Sequence, residues 1–374
     1  MLERLASRAA MPVEAHDLDS RDLTPASHVI GEKCGLGLLS GELVLDRLSE
    51  EGFARVTLDF DGSVQSTKGH REGTAVGFNK QKKGARSYYP LFCTVAQTGQ
   101  FLDFHHRSGN VHDSNGARAF MTSCIYTFRE RLPTTTLETR IDSAFFASDI
   151  LLSLDVEGIE FTCSVPFLRL PDLKTIVEGR KRWRRLDATW SYFETSWRPK
   201  SWEVGQDYRF ICVRRRNHKQ RKGPLQLDLF EPKDFTYDYK VIVTNRAVSA
   251  KAVLQFHNGR GSQEAIFGEA KQDAALGVLP SRSQAGNKLF TTASVTAHNL
   301  GRELQMRSQN ASRPTLPKRP PRWEFEALGT IRQLLLHRAG RLTRPKGELV
   351  LRMSANTTVC EKFSACLESL RLVA

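Results

Sequence analysis

Arg260, Glu264 and Lys271 are the residues whose types and spacing say most about chemistry. On a helix turning by about 100° per residue, offsets of four and eleven place Glu264 about 40° and Lys271 about 20° from Arg260. Two cations and a carboxylate on one side of a helix suit a phosphate group bound close to an acid. Two earlier acids each close an apolar strand. Arg55-Val-Thr-Leu-Asp-Phe-Asp61 alternates with period two, so Val56, Leu58 and Phe60 face inward, Asp59 and Asp61 point the other way, and Gly62 ends the strand. Leu137-Glu-Thr-Arg-Ile-Asp142 ends in the same manner. Ligand groups in open α/β sheets bind beyond the carboxyl ends of strands, which is where Asp61 and Asp142 are predicted to stand. Three acids are therefore expected to converge.

The elements that must position them follow from periodicity. Tyr88 to Ala96 and Gln100 to His106 read as strands joined in a hairpin at Gln97-Thr-Gly99. A turn-rich loop, Arg107 to Gly116, leads into a helix with the apolar face Ala117, Phe120, Cys124, Phe128 and Leu132. The strand ending at Asp142 comes next, then a helical run through Ile150-Leu-Leu-Ser-Leu and a strand, Ile159 to Val165. From Pro166 to about Asp238 the pattern becomes basic, Trp-rich and β-like, which reads as an insertion. Tyr239 to Thr244 restores a buried strand, and a helix from Arg260 to Gly277 follows. Residues 308–322 carry Pro314, Pro317, Pro320 and Pro321 and read as a linker, followed by a helix from Trp323 to about Arg338 and a strand, Glu348 to Met353. Before the first strand stands a short amphipathic element at Gly41 to Leu48. No internal repeat is present.

Composition narrows the class. The 374 residues can bury a substantial core in more than one structural unit. No stretch approaches the roughly 18 apolar residues that cross a bilayer, and the first residues lack the apolar core of a secretion signal, so the expectation is a cytoplasmic protein without a membrane partner. Seven cysteines without a Cys-x-x-Cys pair read as scattered reduced thiols. His105, His106, His112 and Asp113 lack a second ligand pair and read as polar loop residues rather than a zinc site. The net charge of +14 is concentrated in residues 180–222, where fourteen Lys and Arg face four acids. Arg214, Arg215 and Arg216 lie among Trp183, Trp190, Trp197 and Trp202, and cations interleaved with aromatics favour a nucleic acid as partner. Each feature has a plainer use: Asp142 as a helix cap, Glu264 and Lys271 as a solvated helix face, most tryptophans as core.

Taken together, these motifs resemble the DDE transposases of bacterial insertion sequences, group 1, with a Tyr-Arg-Glu-Lys signature. In that signature an aromatic is followed after two residues by Arg, after three more by Glu and after six more by Lys. Arg260, Glu264 and Lys271 keep the spacing, with His257 at the aromatic position. Asp59-Phe-Asp61-Gly-Ser63 is similar to the stretch around the family's first acid and Arg140-Ile-Asp142-Ser-Ala-Phe145 to that around its second. The similarity spans about Val56 to Asn299.

The resemblance implies a ribonuclease-H-like α/β fold: a mixed five-stranded sheet flanked by helices, with a β-rich insertion before the last acid. Its divisions are an N-terminal region, 1–53, that is a possible shortened DNA-binding part; a first core part, 54–165; a basic insertion, 166–238; a second core part, 239–307; and a Pro-rich linker with a C-terminal helix and strand, 308–374. It further implies Asp61, Asp142 and Glu264 as catalytic ligands of Mg²⁺ or Mn²⁺, with Asp59 as the other choice for the first acid. In such two-metal chemistry ions about 3.5–4 Å apart hold the attacking and leaving oxygens. His257, Arg260 and Lys271 would bind the DNA backbone, assisted by Arg214, Arg215 and Arg216, with Trp197 or Trp202 stacking a base. The implied partners are double-stranded DNA bearing the element's terminal inverted repeats, target DNA, and a second copy in a homodimer at the bacterial nucleoid. The alternative is a truncated, catalytically inactive DNA-binding copy that inhibits transposition or is a remnant of it. A stand-alone nuclease is a third reading.

Overall fold

The structure, a computed structural model, describes residues 35–77, 79, 82–202, 207–218, 235–353 and 356–371. Most of the expected N-terminal region and the middle of the insertion, 219–234, lie outside them. Helix α1 (Gly35–Glu51) buries Val44, Leu45 and Leu48 and leads into β1 (Arg55–Gly62). Short strands β2 (Gln65–Thr67), β3 (Ala75–Val76) and β4 (Arg86–Tyr88) make a small separate sheet. The hairpin β5 (Leu91–Val95) and β6 (Gln100–His105) turns at Gly99, whose φ of 63° favours glycine. Next come α2 (Ala117–Arg131), β7 (Thr136–Ile141), α3 (Ser148–Val156), β8 (Glu160–Ser164) and α4 (Pro171–Glu178). The insertion supplies β9 (Arg184–Arg185), β10 (Trp190–Trp197), β11 (Tyr208–His218) and the start of β12 (Phe235–Thr244). Helices α5 (Ala250–Asn258), α6 (Gly261–Asp273) and α7 (Gln284–Ser308) follow, then α8 (Leu328–Ile331), the hairpin β13 (Gly340–Thr343) and β14 (Val350–Met353), and α9 (Thr357–Arg371).

The main sheet has the order β6-β5-β1-β7-β8-β12-β11-β10-β9. Its first five strands form the ribonuclease-H-like arrangement: β6, β5 and β1 are antiparallel, and β7 and β8 run parallel to β1. The insertion strands continue this sheet through β12, which pairs with β8 on one side and β11 on the other. Period-two patterning puts Val56, Leu58 and Phe60 into a core with Phe120, Cys124 and Phe128 of α2 and Ile150, Leu151 and Leu154 of α3. On the opposite face Phe92 and Phe101 meet Ile266, Phe267 and Ala270 of α6 and Val295 of α7, and Ile211, Val213 and Ile242 meet Val253 of α5. Each such side chain contributes about 1.5–3 kcal/mol by leaving water. Edge strand β6 is covered by α7, where the Asn299 side chain accepts from Phe101 N and donates to Phe101 O, both at 2.8 Å.

Two C-terminal expectations change. The proline-rich segment is a strap tied along the core: Arg322 N donates to Gln97 O (2.8 Å), and Arg319 Nε donates to Oε1 of fully buried Glu138 (2.6 Å). Trp323 is buried but not helical; the helix begins at Leu328. Side-chain amides of Gln305 and Gln309 bond the backbone of Glu326 and Glu324, which ties residues 324–326 to the end of α7.

Candidate active site

Parallel register explains why two acids meet. Asp59 on β1 stands opposite Arg140 on β7, so two residues further along the same face Asp61 and Asp142 emerge side by side at the carboxyl ends. Asp59 is consumed: Arg140 Nε and Nη2 donate to its two oxygens at 2.6 and 2.5 Å, and both side chains are at most 1% exposed. This pairing leaves Asp61 as the first available acid. Arg140 Nη1 also donates to Phe256 O (3.1 Å) and Lys318 O (2.6 Å), joining β1 and β7 to the end of α5 and to the C-terminal strap. Glycine at 259 permits this crossing, because a Cβ there would lie 1.9 Å from Lys318 O and 2.0 Å from Arg140 Nη1.

Beyond Gly259 the chain turns into α6. Gln263, fully buried, donates from Nε2 to Asp59 O (2.9 Å) and seats the helix on β1. Arg260, just before the first helical residue, donates from Nη1 to Asp61 Oδ2 at 2.8 Å. Burial pushes the Asp61 carboxyl up to about 6; Asp142 adds to the rise and Arg260 opposes it. Burial works against the charge of Arg260, yet Asp61 and Asp142 outweigh it and raise its pKa. Asp142 Oδ1 accepts from Ala144 N (2.7 Å), so this acid also caps the short 3₁₀ turn Ser143–Phe145.

Glu264 and Lys271 lie on α6, in its first and last turns, and both are exposed. Among the described residues no three acid, His or Cys side chains close into a metal-sized group. The structure thus brings together Asp61, Asp142 and Arg260, and leaves Glu264 one helical turn beyond Arg260. Two buried-edge carboxylates whose charges oppose each other, all oxygen donors, fit a hard divalent cation.

One neighbour of the acids has no place in the sequence argument. Tyr89 lies over Gly62, where a Cβ would come within 2.4 Å of the ring, and its hydroxyl donates to Asp113 Oδ2 at 3.2 Å. Burial and the carboxylates of Asp113, Asp61 and Asp142 together hold the phenol protonated. In the sequence Gly62 reads only as the end of β1, and nothing there points to the ring above it. Of the histidine loop, His106 packs on Tyr88 with ring centroids 4.3 Å apart, and burial lowers its pKa to about 3. Lys240 was also missed: its Nζ donates to Asn258 Oδ1 (2.7 Å), and burial, with Arg260 nearby, lowers it to about 8.

The expected DNA contact at His257 is corrected. The ring is 2% exposed, its Nδ1 bonded to Thr162 Oγ1 (3.0 Å) and its Nε2 to Ser164 Oγ (2.8 Å), and burial first, then Lys240, Arg260 and Arg140, push its pKa far down. It is a neutral bolt between α5 and β8. Arg214 is sandwiched between Trp183 (4.3 Å) and Tyr237 (4.2 Å), whereas Arg215, paired with Asp238, and Arg216 are exposed. Trp197 and Trp202 are half-buried, packing on Phe210 and Phe146 with centroids 5.2 and 5.0 Å apart.

Comparison with known proteins gives three findings. The sequence profile of a family described as transposase DDE domain group 1 matches residues 7–374, a longer span than the motifs alone covered. No curated protein matches the sequence. Among solved structures, a piggyBac transposase synaptic complex with hairpin DNA is similar at 10% identity over 66% of this chain and 46% of that one, with a TM-score of 0.40. A Mos1 transposase paired-end complex with the left transposon end is similar at 12% identity over 42% of this chain and 48% of that one, with a TM-score of 0.20. The chain spans just under half the length of each.

Proposed function

The chain belongs to the transposase DDE-domain group 1 family, and we propose that it is the transposase of an insertion sequence, cutting DNA at the element's ends and joining the freed strands to a target. The observation that carries this reading is the placement of Asp61 and Asp142 at the ends of adjacent parallel strands with Arg260 hydrogen-bonded between helix and acid. Asp61 and Asp142 would hold Mg²⁺ or Mn²⁺, with Glu264 completing the set by turning its exposed carboxylate toward β1. The bound ions supply Lewis-acid stabilisation of developing charge on phosphate and leaving oxygens. Arg260, which already donates to Asp61, would reach a phosphate oxygen held at these acids, and its fork suits bidentate contact. Lys271, Arg215 and Arg216 extend the cationic track for the duplex, and the terminal inverted repeats, target DNA and a homodimer on paired ends belong to the same proposal. The setting is the bacterial nucleoid.

The test is a single-turnover assay with Mn²⁺ on duplex DNA cut from the two flanks of the gene, using the wild type and Asp142→Ala. Nicking and strand joining by the wild type alone support the reading. Identical behaviour of the two proteins refutes it. Binding without cleavage by the wild type points to an inactive DNA-binding copy, and hydrolysis without joining to a nuclease.

A further inference from the structure

Tyr89 is fixed from four sides. Gly62 gives its ring a seat that any side chain would fill, with Tyr89 Cζ, Oη and Cε2 only 2.4, 2.6 and 2.8 Å from a Cβ built there. Its backbone is doubly tied to Arg107, N to O at 2.9 Å and O to Nε at 3.2 Å, and the same guanidinium stands 5.6 Å from the ring centre. Arg107 also holds the loop that carries Asp113, donating to the carbonyls of His112 (3.1 Å), Asp113 (3.3 Å) and Asn115 (2.8 Å). The phenol proton goes to Asp113 Oδ2 at 3.2 Å.

The direction of that hydrogen bond decides what the hydroxyl can receive. Asp113 Oδ1 is buried without a hydrogen bond, and the nearest Arg107 nitrogen is 3.7 Å away. Withdrawing the phenol proton would strip this carboxylate of its donor, at the cost of an unsatisfied buried acceptor. A phosphate oxygen, which only accepts, is therefore a poor partner for Tyr89. A group that brings its own proton is a good one.

Resting on the function proposed above, we propose that Tyr89 Oη binds the nucleophile of strand joining, accepting a hydrogen bond from a DNA 3′-hydroxyl placed at Asp61 and Asp142, with Asp113 as its positioning residue. The assignment makes Gly62 a functional requirement: it keeps the ring against the end of the strand that carries Asp61.

Binding, without divalent metal, separates this from catalysis. A blunt duplex from the gene's flank is prepared with either a 3′-hydroxyl or a 3′-hydrogen terminus, and its affinity is read by fluorescence anisotropy in EDTA. The wild type is expected to prefer the hydroxyl terminus by about threefold to tenfold, the range of one net hydrogen bond. Tyr89→Phe should lose the preference while binding the 3′-hydrogen duplex as the wild type does. Asp113→Asn, whose amide oxygen still accepts the phenol proton, should keep it. A purely structural role for Tyr89 would weaken both duplexes alike. The inference is overturned if the wild type shows no preference or if Tyr89→Phe retains one. A protein that shows the preference yet fails to join strands in Mn²⁺ refutes the transposase reading instead.

Discussion

Asp61 is held where its charge is unwelcome, and Asp61→Asn should therefore stabilise the metal-free protein. The native carboxyl titrates near 6 against an ordinary 3.8, chiefly because it is buried. The unfolded chain thus releases this proton first. The native preference for the protonated form is fully satisfied below pH 3.8 and is lost as pH rises through about 6. A shift of roughly two units, at about 1.4 kcal/mol each, gives a ceiling near 3 kcal/mol above about pH 6.5 and only about 0.6 kcal/mol near pH 4. With 20% of the side chain exposed, water screens part of this, and a gain of about 1–3 kcal/mol is expected. Asparagine keeps one of the two acceptors that Arg260 and Gly62 N use, at 2.8 Å each, so the loss of the other offsets part of the gain. Urea unfolding in EDTA at about pH 7.5 and about pH 4 reads the difference. Adding Mn²⁺ should then stabilise the wild type and not the variant, by mass action. An Asp61→Asn protein no more stable than wild type near neutral pH, or a gain independent of pH, would mean that the buried charge of Asp61 does not destabilise the fold.

Arg140→Ala leaves Asp59 buried without its cation and should cost about 3–5 kcal/mol in urea unfolding, far more than loss of an exposed arginine such as Arg215. His257→Ala opens a void and orphans two hydroxyls, a loss of about 2–4 kcal/mol, while DNA affinity of the folded protein stays at the wild-type level; a specific drop in affinity would restore the DNA-contact role. Lys240 would neutralise a phosphate only when protonated; added to the proposed cationic track, it predicts that DNA affinity falls as pH rises past about 8 and that Lys240→Met removes that slope and about one unit of salt dependence.

Much of the fold was legible because its strands and helices carry unambiguous periods. The alternation through Val56, Leu58 and Phe60 fixed both the core face and the acid face of β1, and the apolar stripe of α2 was buried residue for residue. The tail was less legible. Four prolines resemble a linker, but the partners that order the strap, Glu138 and Gln97, lie far away in the sequence. For the site, parallel strand ends were legible and place Asp61 and Asp142 side by side, whereas the pairing of Asp59 with Arg140 joins two strands 81 residues apart and shows only in the fold. Helical spacing aligned Glu264 with Arg260 but does not report whether a carboxylate is turned toward β1 or out to water. His257 misled because an imidazole beside phosphate-binding residues looks like a ligand, whereas burial among Thr162 and Ser164 makes it a neutral bolt. Tyr89 was invisible in sequence, since its role depends on a glycine 27 positions earlier.

Metal held between two neighbouring strand ends would be seen by anomalous scattering from crystals grown with Mn²⁺ and flank DNA. A manganese peak between the carboxylates of Asp61 and Asp142, with the Glu264 side chain swung inward to share it, is the predicted result. Manganese absent from that position while DNA is bound would mean that Asp61 and Asp142 are not metal ligands.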